Sequence, residues 1–347
     1  MSDNHKAETS RIEPGQEWEV DLFRPEDAAG VCGLFKEIYG ANYPIRTYVD
    51  PEILARENAA GRVISSVART AKGDIVGHNA LFQSAPYKKI FESGAGLVHR
   101  HYRGGHGIFN KMIAHGIKVG GRDFGVELVY AEPVCNHVFS QRVCHTLKMI
   151  TRATEIDLMP ATAYSKEKSA VGNRVTTMLC FRPIQIKSQT VYLPQPYESQ
   201  LRFLYETYSE ERSFEVTAEK TPDKGSKSRI ESQTFTYAGV IRIAAWEIGD
   251  DFTTVLKQET EGPERKDFTV IQCWLPLDTP AVAYAVAELR QQGFFFGGLL
   301  PRWFDADGIL MQKLRHSPCW DTINIYYDSD QKIIDMARND WEQLTSR

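Results

Sequence analysis

Residues 96–109 read GLVHRHYRGGHGIF, and this stretch decides the fold. A β-prone run closes at Val98, an arginine and three glycines (Arg103, Gly104, Gly105, Gly107) form a bend, and apolar residues then recur at helical spacing through IFNKMIAHGIKVG. The pattern predicts a strand that feeds a helix through a glycine turn. Glycine lets main chain approach a ligand closely, the first N–H groups of a helix lack intrahelical acceptors, and the helix dipole favours negative charge there. Arg103 can add a charge-assisted contact to phosphate. A pyrophosphate is the natural guest, although the same bend also serves as a plain tight turn. A nucleoside-triphosphate loop would end in Gly-Lys-Ser/Thr, whereas Gly107 is followed by Ile108 and Phe109. A dinucleotide fingerprint would follow the first strand of a βαβ unit, whereas this bend follows the fourth strand.

Outward from the bend, EWEVDLFRP reads as a first strand, and AAGVCGLFKEIYG as a helix with Val31, Leu34, Phe35 and Ile38 on one face. Asp50-Pro51 opens a second short helix. RVISSVART and DIVGHNALF are strands joined at Lys72-Gly73-Asp74. GVELVYAEP is a strand apolar on both faces, and NHVFSQRVCHTL a short helix. Three consecutive strands before the bend predict a mixed α/β sheet with helices on both faces. Near Val191 the register changes. VYLPQPYESQLRFLYETY starts with a proline pair and is expected to continue as a helix that begins a second unit, and residues 217–232 to form an exposed loop. Strands near 233–247, a helix near 250–261, the strand DFTVIQCWLPL, the helix AVAYAVAELRQQG, strands FFFGGLLP and GILMQKL, and a helix from Gln331 follow. This half partly repeats the first, without its glycine bend. The expected domains are a disordered leader at 1–15, a first domain at 16–190 and a second at 191–347.

The chain has 347 residues and is 42% hydrophobic, ample for a large core; its charged content of 25% is that of an ordinary globular protein. The net charge of −4 argues against an extended nucleic-acid surface. Mean hydropathy of −0.37 and the lack of a long uncharged apolar run argue against a membrane partner. The polar first residues show no secretory signal, and six cysteines without CxxC spacing fit a reducing compartment. The expectation is a soluble cytoplasmic protein.

The bend resembles the GCN5-related N-acetyltransferase (GNAT) family, which carries a Val-x-Pro-x-Tyr-Arg-Gly-x-Gly stretch leading into a helix. Val98, Tyr102, Arg103, Gly104, Gly105 and Gly107 carry the likeness. Arg24-Pro25-Glu26-Asp27-Ala28 resembles the family's first strand-to-helix junction, and Ile75-Val76-Gly77-His78 its third strand. The resemblance covers residues 17 to about 186. GFFFGGLLP resembles the closing strand of a second, degenerate copy. Two departures stand out. His106 replaces a loop glycine unless the loop carries one extra residue, and Val143 stands where the family places its tyrosine proton donor.

The resemblance implies a GNAT-like sheet and acyl transfer from acetyl-CoA, or another acyl-CoA, to an amine on a small molecule or carrier. It implies that Arg103, Gly104, Gly105, His106, Gly107 and Ile108 cradle the coenzyme pyrophosphate, with Asn136 as a further contact. Main-chain N–H groups around Leu97 and Val98 would hold the pantetheine arm and polarise the thioester. Glu132 and His137 are the titratable candidates for deprotonating the acceptor. Glu132 equally suits a cap on the following helix. Ser140, Cys144 or Tyr130 would have to replace the missing tyrosine, or none does. Tyr39, Tyr43 and His78 are candidate acceptor contacts, with loop packing the alternative for the tyrosines. His99 and His101 share a strand face as metal ligands do, but nothing completes the set, so no metal is expected. The second half is expected to close the acceptor site or form a homodimer interface. An acyl-CoA sensor without turnover, or the same fold with hydrolysis, decarboxylation or O-acyl transfer, are the alternatives.

Overall fold

A computed structural model describes residues 12–40, 43–104, 107–164, 174–208 and 211–346. Tertiary contacts divide the chain into two units, one drawn from Met1–Gln83 and Ser93–Gly125, the other from Ser84–Glu92 and Val126–Arg347. The division runs through a strand, whereas the change of register in the sequence lies near Val191. Packing and internal repetition are different criteria, and they cut the chain at different places.

The first unit contains β1 (Trp18–Leu22), α1 (Ala28–Tyr39), α2 (Pro51–Ala59), β2 (Val63–Thr70), β3 (Ile75–Phe82), residues 93–98 of β4 (Ile90–Val98), and α3 (Ile108–Asp123). Asp50 caps α2, accepting from the N–H groups of Glu52 and Ile53. The strands stand in the order β1-β2-β3-β4, with β2 antiparallel to both β1 and β3. Alternation along the strands sorts the core. Val67, Ile75 and Leu97 pack with Val31, Leu34 and Phe35 of α1, while Ala68, Val76 and Val98 pack with Ile108 and Met112 of α3. Helices therefore cover both faces, as the sequence predicts.

The expected leader lies outside the described residues up to position 11. Its last residues are ordered: Ile12 packs beside Tyr102 and Met112, and the Tyr102 hydroxyl donates to the Glu13 carbonyl at 2.6 Å.

The second unit contains residues 90–92 of β4, then β5 (Leu128–Ala131), α4 (Phe139–Thr146), β6 (Ile150–Pro160), β7 (Arg174–Pro183), β8 (Gln189–Pro194), α5 (Glu198–Tyr205) and β9 (Arg212–Thr217). It continues with β10 (Arg229–Phe235), β11 (Val240–Glu247), α6 (Phe252–Thr260), β12 (Val270–Pro276), α7 (Val282–Gln291), β13 (Phe295–Leu300), β14 (Gly308–Leu314) and α8 (Asp328–Thr345). One strand was not foreseen, and one expectation needs correction. VYLP forms β8, paired in parallel with β9, before the helix starts at Glu198. Arg229–Phe235 is strand β10, held by its ladder to β11, so the exposed loop is shorter than 217–232.

The second unit's sheet runs β4-β5-β7-β6-β13-β14-β12-β11-β10. From β4 on one side and β11 on the other, toward the β6–β13 junction, the pairing follows one rule. β4 is parallel to β5, β5 antiparallel to β7, and β7 antiparallel to β6. Likewise β11 is parallel to β12, β12 antiparallel to β14, and β14 antiparallel to β13. The halves meet where Gly298 opposes Ala153. Gly298 has φ +131°, and a Cβ there would lie 2.5 Å from Ala153 Cα, so glycine alone permits this approach.

Candidate functional site

Two places hold the chemistry-bearing residues, one in each unit. In the first, β4 ends at Val98 and the chain turns through Arg103 and Gly104 to α3. Gly104 (φ +77°) and Gly107 (φ +66°) both occupy the left-handed region, with nothing among the described residues within 4 Å of a Cβ added at either. Open space on the glycines' Cβ side leaves room for a ligand against the main chain.

Gly107 is the N-cap of α3 and has no side chain to cap it. The helix's first main-chain bond runs from the Lys111 N–H to the Gly107 carbonyl, 3.0 Å. The N–H groups of Ile108, Phe109 and Asn110 therefore have no main-chain acceptor among the described residues. Arg103 is exposed, and its Nε donates to the Val98 carbonyl at 2.8 Å, which anchors the guanidinium beside the bend. Gly105 and His106 lie outside the described residues. Helix-start N–H groups with no main-chain acceptor among the described residues, a left-handed glycine cap and an anchored arginine suit a phosphate.

Upstream, Ala95 has φ +49° in the middle of β4, a conformation that costs an L residue energy. The β4–β5 register covers Ile90 to Glu92 only. In the first unit residues 93–98, including Leu97 and Val98, have β3 as their only strand neighbour among the described residues.

The acceptor candidates of this unit fall into an aromatic cluster. Tyr39 and Tyr43 stack at 5.0 Å, and Phe35 lies 5.1 Å from Tyr43 and 4.9 Å from Tyr48. His78 departs from expectation because it is fully buried. Its Nδ1–H donates to the Ala95 carbonyl at 2.9 Å and its Nε2 accepts from the Ser65 hydroxyl at 3.0 Å, leaving no ring nitrogen for a substrate. Burial lowers its pKa from 6.5 to about 4. The neighbouring His99 donates from Nε2 to Glu37 at 3.2 Å and accepts the His101 N–H at 3.4 Å. No group of three metal-ligating side chains occurs among the described residues.

The second place surrounds Glu132, just past β5. Instead of capping α4, Glu132 accepts from Arg242 Nη2 at 3.2 Å, and the same nitrogen donates to Glu155 at 2.9 Å. Glu92 accepts from the Ser84 hydroxyl at 2.8 Å and the Tyr130 hydroxyl at 3.2 Å. Two carboxylates thus share one guanidinium, and a third, Glu92, lies within its electrostatic reach. The Glu132 side chain is 16% exposed and that of Glu155 2%, so Glu132 is the more accessible of the two carboxylates on Arg242. Burial holds the Glu132 carboxyl well above the ordinary range. Repulsion from Glu155 and Glu92 adds to this, and Arg242 offsets it only in part. Burial likewise raises Glu92. For Arg242 burial works against the charge, but Glu155 and Glu132 outweigh it and the guanidinium stays protonated.

A carboxyl with a raised pKa can take a proton near neutral pH, which an ordinary glutamate does poorly. Sequence reading found Glu132 and Tyr130 but missed Glu92, Glu155 and Arg242. Their signal is a charge inside a β-prone run, as in IFESGAGLV, ITRATEIDLMP and VIRIAAW. What they face is set by strands distant in sequence.

The remaining candidates lie between β5 and the end of α4. The His137 Nδ1 and Ser140 hydroxyl are buried and have no hydrogen-bond partner among the described residues. Asn136 precedes them, and its carbonyl accepts from Asn324 at 3.4 Å. Cys144 is buried and hydrogen-bonds Cys180, so this thiol packs in the interior. Val143 occupies the turn of α4 where the family resemblance would place a tyrosine.

No family model and no curated protein matches the sequence. Solved structures do. About half of the chain is similar to GNAT acetyltransferases. A GNAT-family acetyltransferase from Streptococcus pneumoniae is 14% identical, with a TM-score of 0.40, covering 48% of this chain and 100% of its own. A ribosomal-protein-alanine N-acetyltransferase from Brucella melitensis is 16% identical, with a TM-score of 0.39, covering 48% and 99%. The yncA structure from Salmonella typhimurium, solved with its cofactor acetyl-CoA, is 13% identical, with a TM-score of 0.40, covering 49% and 96%. No described helix is long and apolar enough to cross a membrane.

Proposed function

We propose that this protein is an acyl-CoA-dependent N-acyltransferase that moves an acyl group, most simply acetyl, from the coenzyme thioester to an amine. The observation that carries the reading is the open start of α3. Three helix N–H groups have no main-chain acceptor among the described residues, behind a left-handed glycine and beside Arg103. Arg103, Gly104, Gly107 and Ile108 hold the pyrophosphate, and the strained, one-sided stretch of β4 through Leu97 and Val98 offers main-chain donors to the pantetheine arm. The buried Ser140 hydroxyl and His137 Nδ1 are groups that a bound ligand can satisfy. The coenzyme supplies an activated acyl group. Glu132 takes the proton of the acceptor ammonium, for which its raised pKa suits it.

Residues 191–347 are a second copy that has lost its phosphate bend. The repeated pairing rule of β11 to β14 supports this. Thiol release from acetyl-CoA with a panel of amines tests the activity. Release that depends on an amine supports acyltransfer, and release without one points to hydrolysis. Coenzyme binding without release favours a sensor, the reading that Val143 in place of a tyrosine supports.

A further inference from the structure

We propose that Arg242, supplied by the C-terminal half of the chain, is a positioning residue that holds the Glu132 carboxylate in place for proton transfer from the acceptor. The inference rests on reading Glu132 as the base, and goes beyond it by making the second copy part of the catalytic apparatus.

The geometry shows how firmly the guanidinium is held. Arg242 on β11 and Gln272 on β12 are direct partners in a parallel ladder, and Gln272 opposes Gln312 on β14. Arg242 Nε donates to Gln272 Oε1 at 3.0 Å, and Gln272 Nε2 donates to Glu155 at 2.9 Å. Gln312 brackets Glu155 on β6, accepting from the Ile156 N–H at 2.9 Å and donating to the Thr154 carbonyl at 3.1 Å. The Thr177 hydroxyl donates to the other Glu155 oxygen at 2.9 Å. Phe235 and Trp274 flank the guanidinium at 5.5 and 5.8 Å.

A row of buried polar side chains thus crosses three strands of the second half and fixes Arg242 and Glu155. Only then does Nη2 reach Glu132. A polar row this fully satisfied defines one arrangement, because moving any member leaves a buried group unpaired. Among the described residues, the charged and titratable groups that act on Glu132 are Glu92 from β4, Tyr130 from β5, Glu155 from β6, Arg242 from β11 and Tyr237 just before it. Arg242 is the one cation among them, so its removal drives Glu132 further toward the protonated form.

The test compares the full-length wild type with Arg242→Met, Arg242→Lys, Gln272→Met and Glu132→Gln. Steady-state rates are taken from pH 5.5 to 9.5, and pH-difference infrared spectra follow the carbonyl band of protonated carboxylic acid. Subtraction of Glu132→Gln assigns the Glu132 band without any need for turnover. In Arg242→Met the band's midpoint should rise by about one pH unit or more. kcat should fall about 100-fold with little change in the KM for acetyl-CoA, and the acidic limb should move to higher pH. Arg242→Lys should recover part of the rate and most of the midpoint. Gln272→Met, which loosens Arg242 but keeps its charge, should lower kcat with a smaller midpoint change, and serves if Arg242→Met does not fold. An unchanged midpoint and rate in folded Arg242→Met, or in Gln272→Met where Arg242→Met is unfolded, overturns the proposal. Full activity in Glu132→Gln instead overturns the base assignment, while an inactive Glu132→Gln beside a normal Arg242→Met sinks only the role of Arg242.

Discussion

Replacing Gly298 by alanine should destabilise the second unit far more than alanine at Gly293, although both glycines have positive φ. At Gly293 (φ +83°) an added Cβ meets nothing within 4 Å. Its cost is conformational strain alone, about 1–3 kcal/mol. At Gly298 (φ +131°) the added Cβ would lie 2.5 Å from Ala153 Cα and 2.7 Å from Ala153 Cβ, with the Arg152 carbonyl equally close. Two of these three atoms are main chain, so relief requires β6 and β13 to move apart at their single point of register. Overpacking of this kind costs about 1–3 kcal/mol beyond the strain. Gly298→Ala is therefore expected to lose about 2–6 kcal/mol, and to exceed Gly293→Ala by about 1–3 kcal/mol. Urea denaturation followed by tryptophan fluorescence measures both, because Trp303 and Trp274 lie in this unit's core. Separation of β6 from β13 would also loosen the Gln312 bracket on Glu155, so activity should fall faster than stability. Equal losses in the two variants, or a Gly298→Ala protein within about 1 kcal/mol of wild type, would refute the reasoning.

Further outcomes follow from the two sites. Arg103→Glu should stay folded and weaken coenzyme A binding about 10- to 100-fold by calorimetry, since it removes a charge-assisted contact and adds repulsion; unchanged affinity counts against the phosphate cradle. Glu132→Gln should lower kcat/KM about 10²- to 10⁴-fold. The same variant should be more stable than wild type at pH 8 and closer to it at pH 5. A carboxyl whose folded pKa lies above its unfolded value loses stability as pH rises between the two, and glutamine removes that loss; a stability gain independent of pH contradicts it. His78 titrates the opposite way. Its folded pKa of about 4 lies below the 6.5 of the free side chain, so stability is lost as pH falls from 6.5 toward 4, by roughly 3 kcal/mol. His78→Gln should flatten the denaturation midpoint across that range.

The N-terminal elements were legible because each carried a local signal. Asp50-Pro51 is a helix start in sequence and in structure, the Lys72-Gly73-Asp74 turn joins β2 to β3, and Ile108 opens α3 one residue after its left-handed glycine. Where a local signal was silent or misled, tertiary pairing prevailed. VYLP became β8 because β9 lies beside it, and Arg229–Phe235 became a strand, despite exposed side chains, by pairing with β11. His78 looked like a site histidine because sequence shows the residue type but not the carbonyl and hydroxyl that occupy both its nitrogens.

By itself, the sequence determined the strand that ends at Val98 and the helix that opens at Ile108, and it singled out Glu132 as a candidate, since turn conformation, capping and helical periodicity act over a few neighbouring residues. Only the tertiary structure decided what Glu132 faces. Its partners arrive from positions 92, 155 and 242, brought together by strand pairing across the sheet. A carboxyl's proton affinity depends on burial and on charges within a few ångströms, whatever their distance along the chain.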